Sequence, residues 1–438
     1  MLERIFGLSA HGTSVRTELF AGFTTFLTMA YIVAVNPAIL GQAGMPVAAV
    51  AAATCLAAGF GSILMGLIAN YPLALAPGMG LNAYFTFTVV KGMGVPWETA
   101  LGCVFLSGVA FLILTLVGVR QMIVAAIPRA LFAAVAAGIG LFIAFIGLRD
   151  AGIIVPDPAT AVALGDLTRP TAALSILGLL VIGALQVWRV KGAMLIGILV
   201  IATAAWALGL AHMAPGGFGL TDISATALKL DVPAALNLKG GLGMTLLEIV
   251  FVFLFVDLFD NIGTLVAVTK RAGLIDETGA IPRLNRVLIA DSVATMAGAL
   301  AGTSTVTSYV ESASGVAVGG RTGLTSVTVG VLFLITLVFA PLVQAIPAAA
   351  TAPALILVGA LMLGALAEVD WADPGVAIPV FLTVVIIPLT YSLANGLAFG
   401  ITSFAALKLV RGQARRGDTL LFVLAILFVA RFVYLAKG

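Results

Sequence analysis

Charge is scarce in this chain: 22 Lys and Arg and 19 Asp and Glu among 438 residues, 9% in all. Soluble domains carry about 25% charged residues, so a water-facing surface of ordinary composition is excluded. Cysteine and histidine are nearly absent, with two of each. Cys55 and Cys103 both fall inside apolar stretches, which excludes a disulfide scaffold and reads each as a small packing residue. His11 and His212 lie near the ends of apolar stretches and read as solvated. An intramembrane hydrolase would need a nucleophile with a His partner, or a metal cluster, at membrane depth. Neither pattern is present, so no cofactor or metal is expected and the chain does not read as an enzyme. A net charge of +3 without a basic cluster offers nothing to hold nucleic acid. The N-terminal run to Glu18 carries charges and lacks a short apolar core with a cleavage site, so no signal peptide is expected to be removed.

What fills the chain instead is apolar sequence, 61% of all residues. It comes in continuous runs of about 18 residues or more, the length that crosses a hydrocarbon core about 30 Å thick. Continuity rather than alternation reads as helices, not barrel strands. Seven such segments fall between about 17 and 211 and seven between 241 and 410, leaving a C-terminal hydrophobic helix at 418–438. The expected fold class is therefore an all-α polytopic membrane protein of 14 segments. An odd number of crossings per half inserts the second half upside down, giving 7+7 inverted repeats.

The loop charges fit that threading with the N-terminus in the cytoplasm. Arg4, Arg16, Arg120, Arg129, Arg189, Lys191, Lys270, Arg271, Arg283, Arg286, Arg321, Lys408, Arg411, Arg415 and Arg416 fall inside, against Lys91, Arg149, Arg169, Lys229 and Lys239 outside. This is the expected bias of cytoplasmic loops. Weak echoes support the repeat: Ile127-Pro128 opens the fifth segment and Ile346-Pro347 the twelfth. The tail with Arg431 is expected to lie along the cytoplasmic face. Gly319 to Thr325 has the glycines of a phosphate loop without its lysine, and reads as a tight cytoplasmic loop.

Two segments cannot be continuous helices. In the third, Ala76-Pro77-Gly78-Met79-Gly80-Leu81-Asn82-Ala83 puts a proline and two glycines at mid-depth. In the tenth, Gly302 to Tyr309 is rich in β-formers and hydroxyls and predicts a short extended stretch entering a half-helix. Interrupted segments at matching places in two halves are the best sequence pointer to a binding site. The eighth segment carries Asp257 and Asp260, three residues apart and so on one helical face. Glu311 follows the tenth-segment break. Carboxylates at membrane depth cost about 2.5 kcal/mol or more and mark substrate, ion or proton sites. Three acids and no cation disfavour an anion. They suit a neutral ligand offering N–H donors, or a cation, and they allow proton coupling. Asn82 adds a donor and an acceptor able to read the edge of a heterocycle, or it caps the following half-helix. Thr24, Thr25, Thr28 and Tyr31 of the first segment either line the cavity or pack between helices. An acid-lined cation channel is disfavoured by the paired breaks.

Four stretches together resemble the AzgA-like purine permeases: Phe20-Ala21-Gly22-Phe23-Thr24-Thr25-Phe26, Ala76 to Ala83, Asp257-Leu258-Phe259-Asp260-Asn261-Ile262-Gly263-Thr264, and Thr305-Val306-Thr307-Ser308-Tyr309-Val310-Glu311-Ser312. The resemblance implies proton-coupled uptake of hypoxanthine, guanine or adenine across the inner membrane, with relatives that carry uracil or xanthine as the alternative. It implies a core domain (17–119 and 241–344) and a gate domain (125–211 and 346–410), elevator-type sliding of one on the other, and a homodimer through the gate. Substrate contacts would come from Asn82, Asp257, Asp260 and Glu311, with Phe85, Phe259 and Tyr309 as stacking candidates. In uracil and xanthine relatives a polar, proton-linked residue stands where this chain has Thr264. Threonine cannot titrate, so Asp257 and Glu311 become the candidates for the coupling proton.

Overall fold

A backbone in hydrocarbon has to satisfy its own N–H and C=O groups, and helices dominate this chain accordingly. The structure is a computed structural model that describes residues 1–118, 128–211, 219, 221–237, 243–274, 281–414 and 418–435. His212, Ile127 and the loop cations Arg120, Lys239, Arg415 and Arg416 lie outside the described residues. In chain order the elements are α1 (Leu2–Phe6), α2 (Val15–Met29), α3 (Ile32–Gly41), α4 (Val47–Ile68), β1 (Leu75–Pro77), α5 (Met79–Ala83) running into a π-helical stretch (Tyr84–Gly92), and α6 (Trp97–Leu116). Next come α7 (Arg129–Asp150), the hairpin β2 (Ile154–Asp157) and β3 (Ala161–Leu164), α8 (Pro170–Val187), α9 (Ala193–Ala207), α10 (Val232–Ala235), α11 (Gly243–Ala272) and α12 (Leu284–Ala301). Last come β4 (Val306–Ser308), α13 (Ser312–Ala317), α14 (Gly323–Thr336), α15 (Ala348–Met362), α16 (Pro374–Thr390), α17 (Leu393–Val410) and α18 (Thr419–Leu435).

The described residues contain 10 helical stretches long and apolar enough to cross a membrane, with shorter apolar helices at Ala193–Ala207, Pro374–Thr390 and Thr419–Ala430. The chain is a mostly helical polytopic membrane protein. Cys55 and Cys103 are free and buried, as small packing residues should be.

The segments are less regular than their hydropathy. The first divides at Ala30 and Tyr31 into α2 and α3, and Pro37 inside α3 removes a further backbone donor. Beyond α14 the chain tightens into a 3-10 helix, Leu337–Ala345, around Pro341. The third and tenth segments each contain a three-residue strand, and β1 pairs antiparallel with β4 in the register Leu75 to Ser308, Ala76 to Thr307 and Pro77 to Val306. The freed backbone groups of one break thereby satisfy those of the other.

The chain forms two compact units, one of residues 1–112 and 146–357, the other of 113–145 and 358–438. In the first, α4 is the central helix, packed against α2's neighbour α14, against α12 and against α3. Small residues permit this: a Cβ on Gly66 would collide with the Gly323 carbonyl oxygen and lie 2.8 Å from Val327 Cγ2. Such small-residue contacts are how membrane helices approach closely. Gly66→Val is therefore expected to cost about 1–3 kcal/mol by overpacking, read as earlier thermal unfolding of the detergent-purified protein, with Gly183→Ala, at an open position, as the neutral control. Glu18, wholly buried, clasps the start of α14: its carboxylate accepts from the backbone N–H groups of Arg321 (2.8 Å), Thr322 (3.3 Å) and Thr325 (3.2 Å) and from Thr325 Oγ1 (2.6 Å). In the second unit α16 and α17 pack together, with Tyr391 edge-on to Phe142 at 5.4 Å.

Candidate substrate site

The paired strands are the floor of the candidate site. Gly78 N–H donates to the Thr305 carbonyl at 2.9 Å and Tyr309 N–H to the Ala74 carbonyl at 3.0 Å, which closes the ladder at both ends. Tyr309 Oη donates to the Pro77 carbonyl, so a side chain of one break also holds the backbone of the other. Behind the strands, Ser62 Oγ accepts from Leu75 N–H at 2.9 Å and donates to its carbonyl at 3.0 Å, while Ser312 Oγ accepts from Ala74 N–H at 3.0 Å. A backbone that left its helix at membrane depth is thus almost fully paired.

Onto this floor α11 lays its acid-bearing stretch, packing on β4 and α13 and reaching α5. Gly78 lets the two breaks close on each other, since a Cβ built there would stand 2.8 Å from Thr307 Cγ2; the same point lies 3.7 Å from Asp260 Oδ2, an ordinary contact that puts the Asp260 carboxyl beside the floor. Asp260 lies within electrostatic reach of both Glu311 and Tyr309. Glu311 in turn accepts a hydrogen bond from Tyr31 Oη at 2.7 Å. Asn82 accepts through Oδ1 from Ser304 Oγ, and Asn261 accepts through Oδ1 from Ser308 Oγ at 3.3 Å. The Nδ2 donors of Asn82 and Asn261, with the hydroxyls of Thr305 and Thr307, are buried without a protein partner among the described residues. Buried polar groups are normally satisfied. Around one floor the fold therefore gathers amide donors, hydroxyls and carboxylate acceptors, the set needed to read the edge of a flat polar ring.

Asn82, Asp260, Tyr309 and Glu311 come together in this way. Asp257 sits about one turn earlier on α11, 3% exposed. The ring of Phe85 lies 6.5 Å from that of Phe253 on α11, and Phe259 lies 4.7 Å from Phe255 in a ladder that Phe251 continues. Tyr31 and Asn261 stand closer to this floor than their sequence context indicates. Tyr31 reads as one hydroxyl among several in the first segment, because only the division between α2 and α3 singles it out. Asn261 had a usable signal, a polar side chain four residues after Asp257 on a membrane helix. Tyr31→Phe removes the hydroxyl that donates to Glu311 and leaves that carboxyl one donor short. The expected result is roughly tenfold weaker substrate binding, about 1.4 kcal/mol, together with a lowered melting temperature; equilibrium binding to the purified variant, beside a melting curve, checks both.

Two broken segments paired to each other, meeting an acid-bearing helix inside a bundle of apolar helices, define a polytopic membrane protein of permease type. The Permease family model Xan_ur_permease matches residues 16–399. The adenine permease AdeP of Escherichia coli is 46% identical over 99% of this chain and 96% of its own. The guanine/hypoxanthine permease PbuO of Bacillus subtilis is 44% identical over 97% of this chain and 98% of its own. Among solved structures, the transmembrane domain of the cyanobacterial bicarbonate transporter BicA superposes with a TM-score of 0.62 over 94% of this chain and 97% of that one, at 15% identity, a likeness of fold alone. The chain belongs to the Xan_ur_permease family, within the nucleobase-ascorbate transporter superfamily.

Proposed function

We propose that this protein carries purine nucleobases into the cell, across the inner membrane and together with protons. The observation that carries the reading is the gathering of Asn82 and Glu311, on the paired helix breaks, with Asp260 of α11, in a chain whose relatives along its length include adenine and guanine/hypoxanthine permeases. A purine is neutral, flat and polar along its edge. Its ring N–H or exocyclic amine would donate to Asp260 and Glu311, and its acceptor nitrogens would take the amide hydrogens of Asn82. An anion would meet two carboxylates at this floor, which separates the chain chemically from the bicarbonate transporter whose fold it shares. Protons would pass through Asp257 or Glu311.

Fourteen crossings in two inverted repeats, N-terminus inside, remain the threading we favour, and the contacts of the first unit support it. Elements assigned to the cytoplasmic side touch one another: Asn70 Nδ2 donates to the Phe6 carbonyl at 3.0 Å, and Tyr71 Oη to the Pro282 carbonyl. So do those assigned outside: Asp231 N–H donates to the Glu98 carbonyl at 2.9 Å and Leu228 N–H to the Leu300 carbonyl at 2.8 Å. Alternating access would slide the core (17–119 and 241–344) along the gate (125–211 and 346–410), and a homodimer through the gate would hold the latter still. The test is competition for radiolabelled hypoxanthine uptake by a panel of unlabelled nucleobases at two external pH values. Adenine, guanine or hypoxanthine should compete and uptake should rise with external acidity; uptake that no purine blocks ends the proposal.

A further inference from the structure

A second polar constellation lies at the far end of α3 from the candidate site. There a cavity of about 660 Å³ is walled by Ala34, Ala38, Val47, Val343 and Ile346, and its polar groups come from Gln42, Asp150 and Gln344. Its volume is in the range of small-molecule sites, about 300–1,000 Å³, and apolar walls with a few polar groups are their usual make-up. Gln42 Nε2 donates to Asp150 Oδ2 at 2.8 Å. Asp150 Oδ1 lies 3.9 Å from Arg149 Nη2, and the Asp150 carboxylate also feels the charge of Lys91. Two nearby cations balance this acid, so a cationic ligand would gain little there. An anion would meet the carboxylate. A neutral ligand with donors and acceptors along one edge suits the set best: two amides, each able to donate and accept, beside a carboxylate that accepts.

This pairing repeats the chemistry of the central site, where the Asn82 amide and the Asp260 carboxylate stand at one floor. One helix joins the two. Tyr31, at the start of α3, bonds Glu311, and Gln42 ends the same helix; eleven residues at 1.5 Å each separate them by roughly 16 Å. We propose that Gln42, Asp150 and Gln344 form a second nucleobase subsite, a loading site from which the purine passes along α3 to the central acids. The proposal rests on the purine reading, which its test can reject separately.

The experiment is saturation binding of radiolabelled adenine and of radiolabelled hypoxanthine to the full-length protein in nanodiscs. The wild type should saturate in two affinity classes, near two purines per chain. Gln42→Leu with Gln344→Leu should lose the weaker class, by tenfold or more in affinity, and keep the tighter one. Asp260→Asn should do the reverse. Independently of how the variants fold, 8-azidoadenine photolabelling of the wild type provides a second measurement, with adducts expected in residues 34–48 or 343–348. Saturation at one purine per chain, an unchanged isotherm in the folded double variant, or adducts confined to the central breaks would each overturn the subsite. A wild type that binds neither purine overturns the purine reading itself.

Discussion

Asp260→Asn is expected to weaken purine binding by about 10- to 150-fold while leaving the fold intact. The exchange preserves shape and removes charge, so α11 should still pack on β4 and α13. What changes is hydrogen-bond polarity. Asp260 Oδ2 lies close to Gly78 and Thr307, on the floor where the breaks pair, and a carboxylate there can only accept. Asparagine presents one acceptor and two donors, so a purine N–H now risks meeting an N–H. Losing a hydrogen bond to a charged group costs about 1.5–3 kcal/mol, which at 1.4 kcal/mol per tenfold gives the range stated. Leaving Glu311 in place should preserve residual binding. Titration of the purified variant with radiolabelled adenine and hypoxanthine, beside a melting curve, measures the effect; binding within threefold of wild type would remove Asp260 from the site.

The parts of this site that were readable in advance are those where a residue type violates its environment. Proline and two glycines in the third segment, hydroxyls and β-formers in the tenth, and acids in the eighth are all out of place in hydrocarbon, and the structure puts the two breaks and Asp260 around β1 and β4. Pairing was not readable, because two three-residue strands 231 positions apart carry too little pattern to specify a register. Nor was the bond from Tyr31 to Glu311: hydroxyls are common between membrane helices, and nothing local distinguishes this one until α2 ends at Met29. The stacking candidates belong to the same acid-bearing helix or pack on it: Phe85 lies 6.5 Å from Phe253 and Phe259 4.7 Å from Phe255. Tyr309 has its hydroxyl committed to Pro77, which leaves its ring as the part open to a purine.

Asp257 poses the sharper question, because it shares a helical face with Asp260 one turn away. It is 3% exposed and lies a turn closer to the start of α11, while Thr264, where the resemblance to uracil and xanthine permeases implies a proton-linked residue, has no titratable group. If Asp257 carries the proton, Asp257→Asn should bind purine about as tightly as wild type and exchange it across the membrane, yet no longer concentrate it. The size of the effect follows from the driving force. One pH unit is about 1.36 kcal/mol, so a carrier moving one proton per purine can accumulate its substrate about tenfold per unit of imposed gradient. In proteoliposomes with an acidic exterior the wild type should approach that ratio, and the variant should stop near equal concentrations inside and out. Counterflow, which needs binding and alternation but no net proton movement, should persist. The opposite pattern, lost binding with tenfold accumulation at saturating purine, would make Asp257 a substrate ligand and leave Glu311 as the proton carrier.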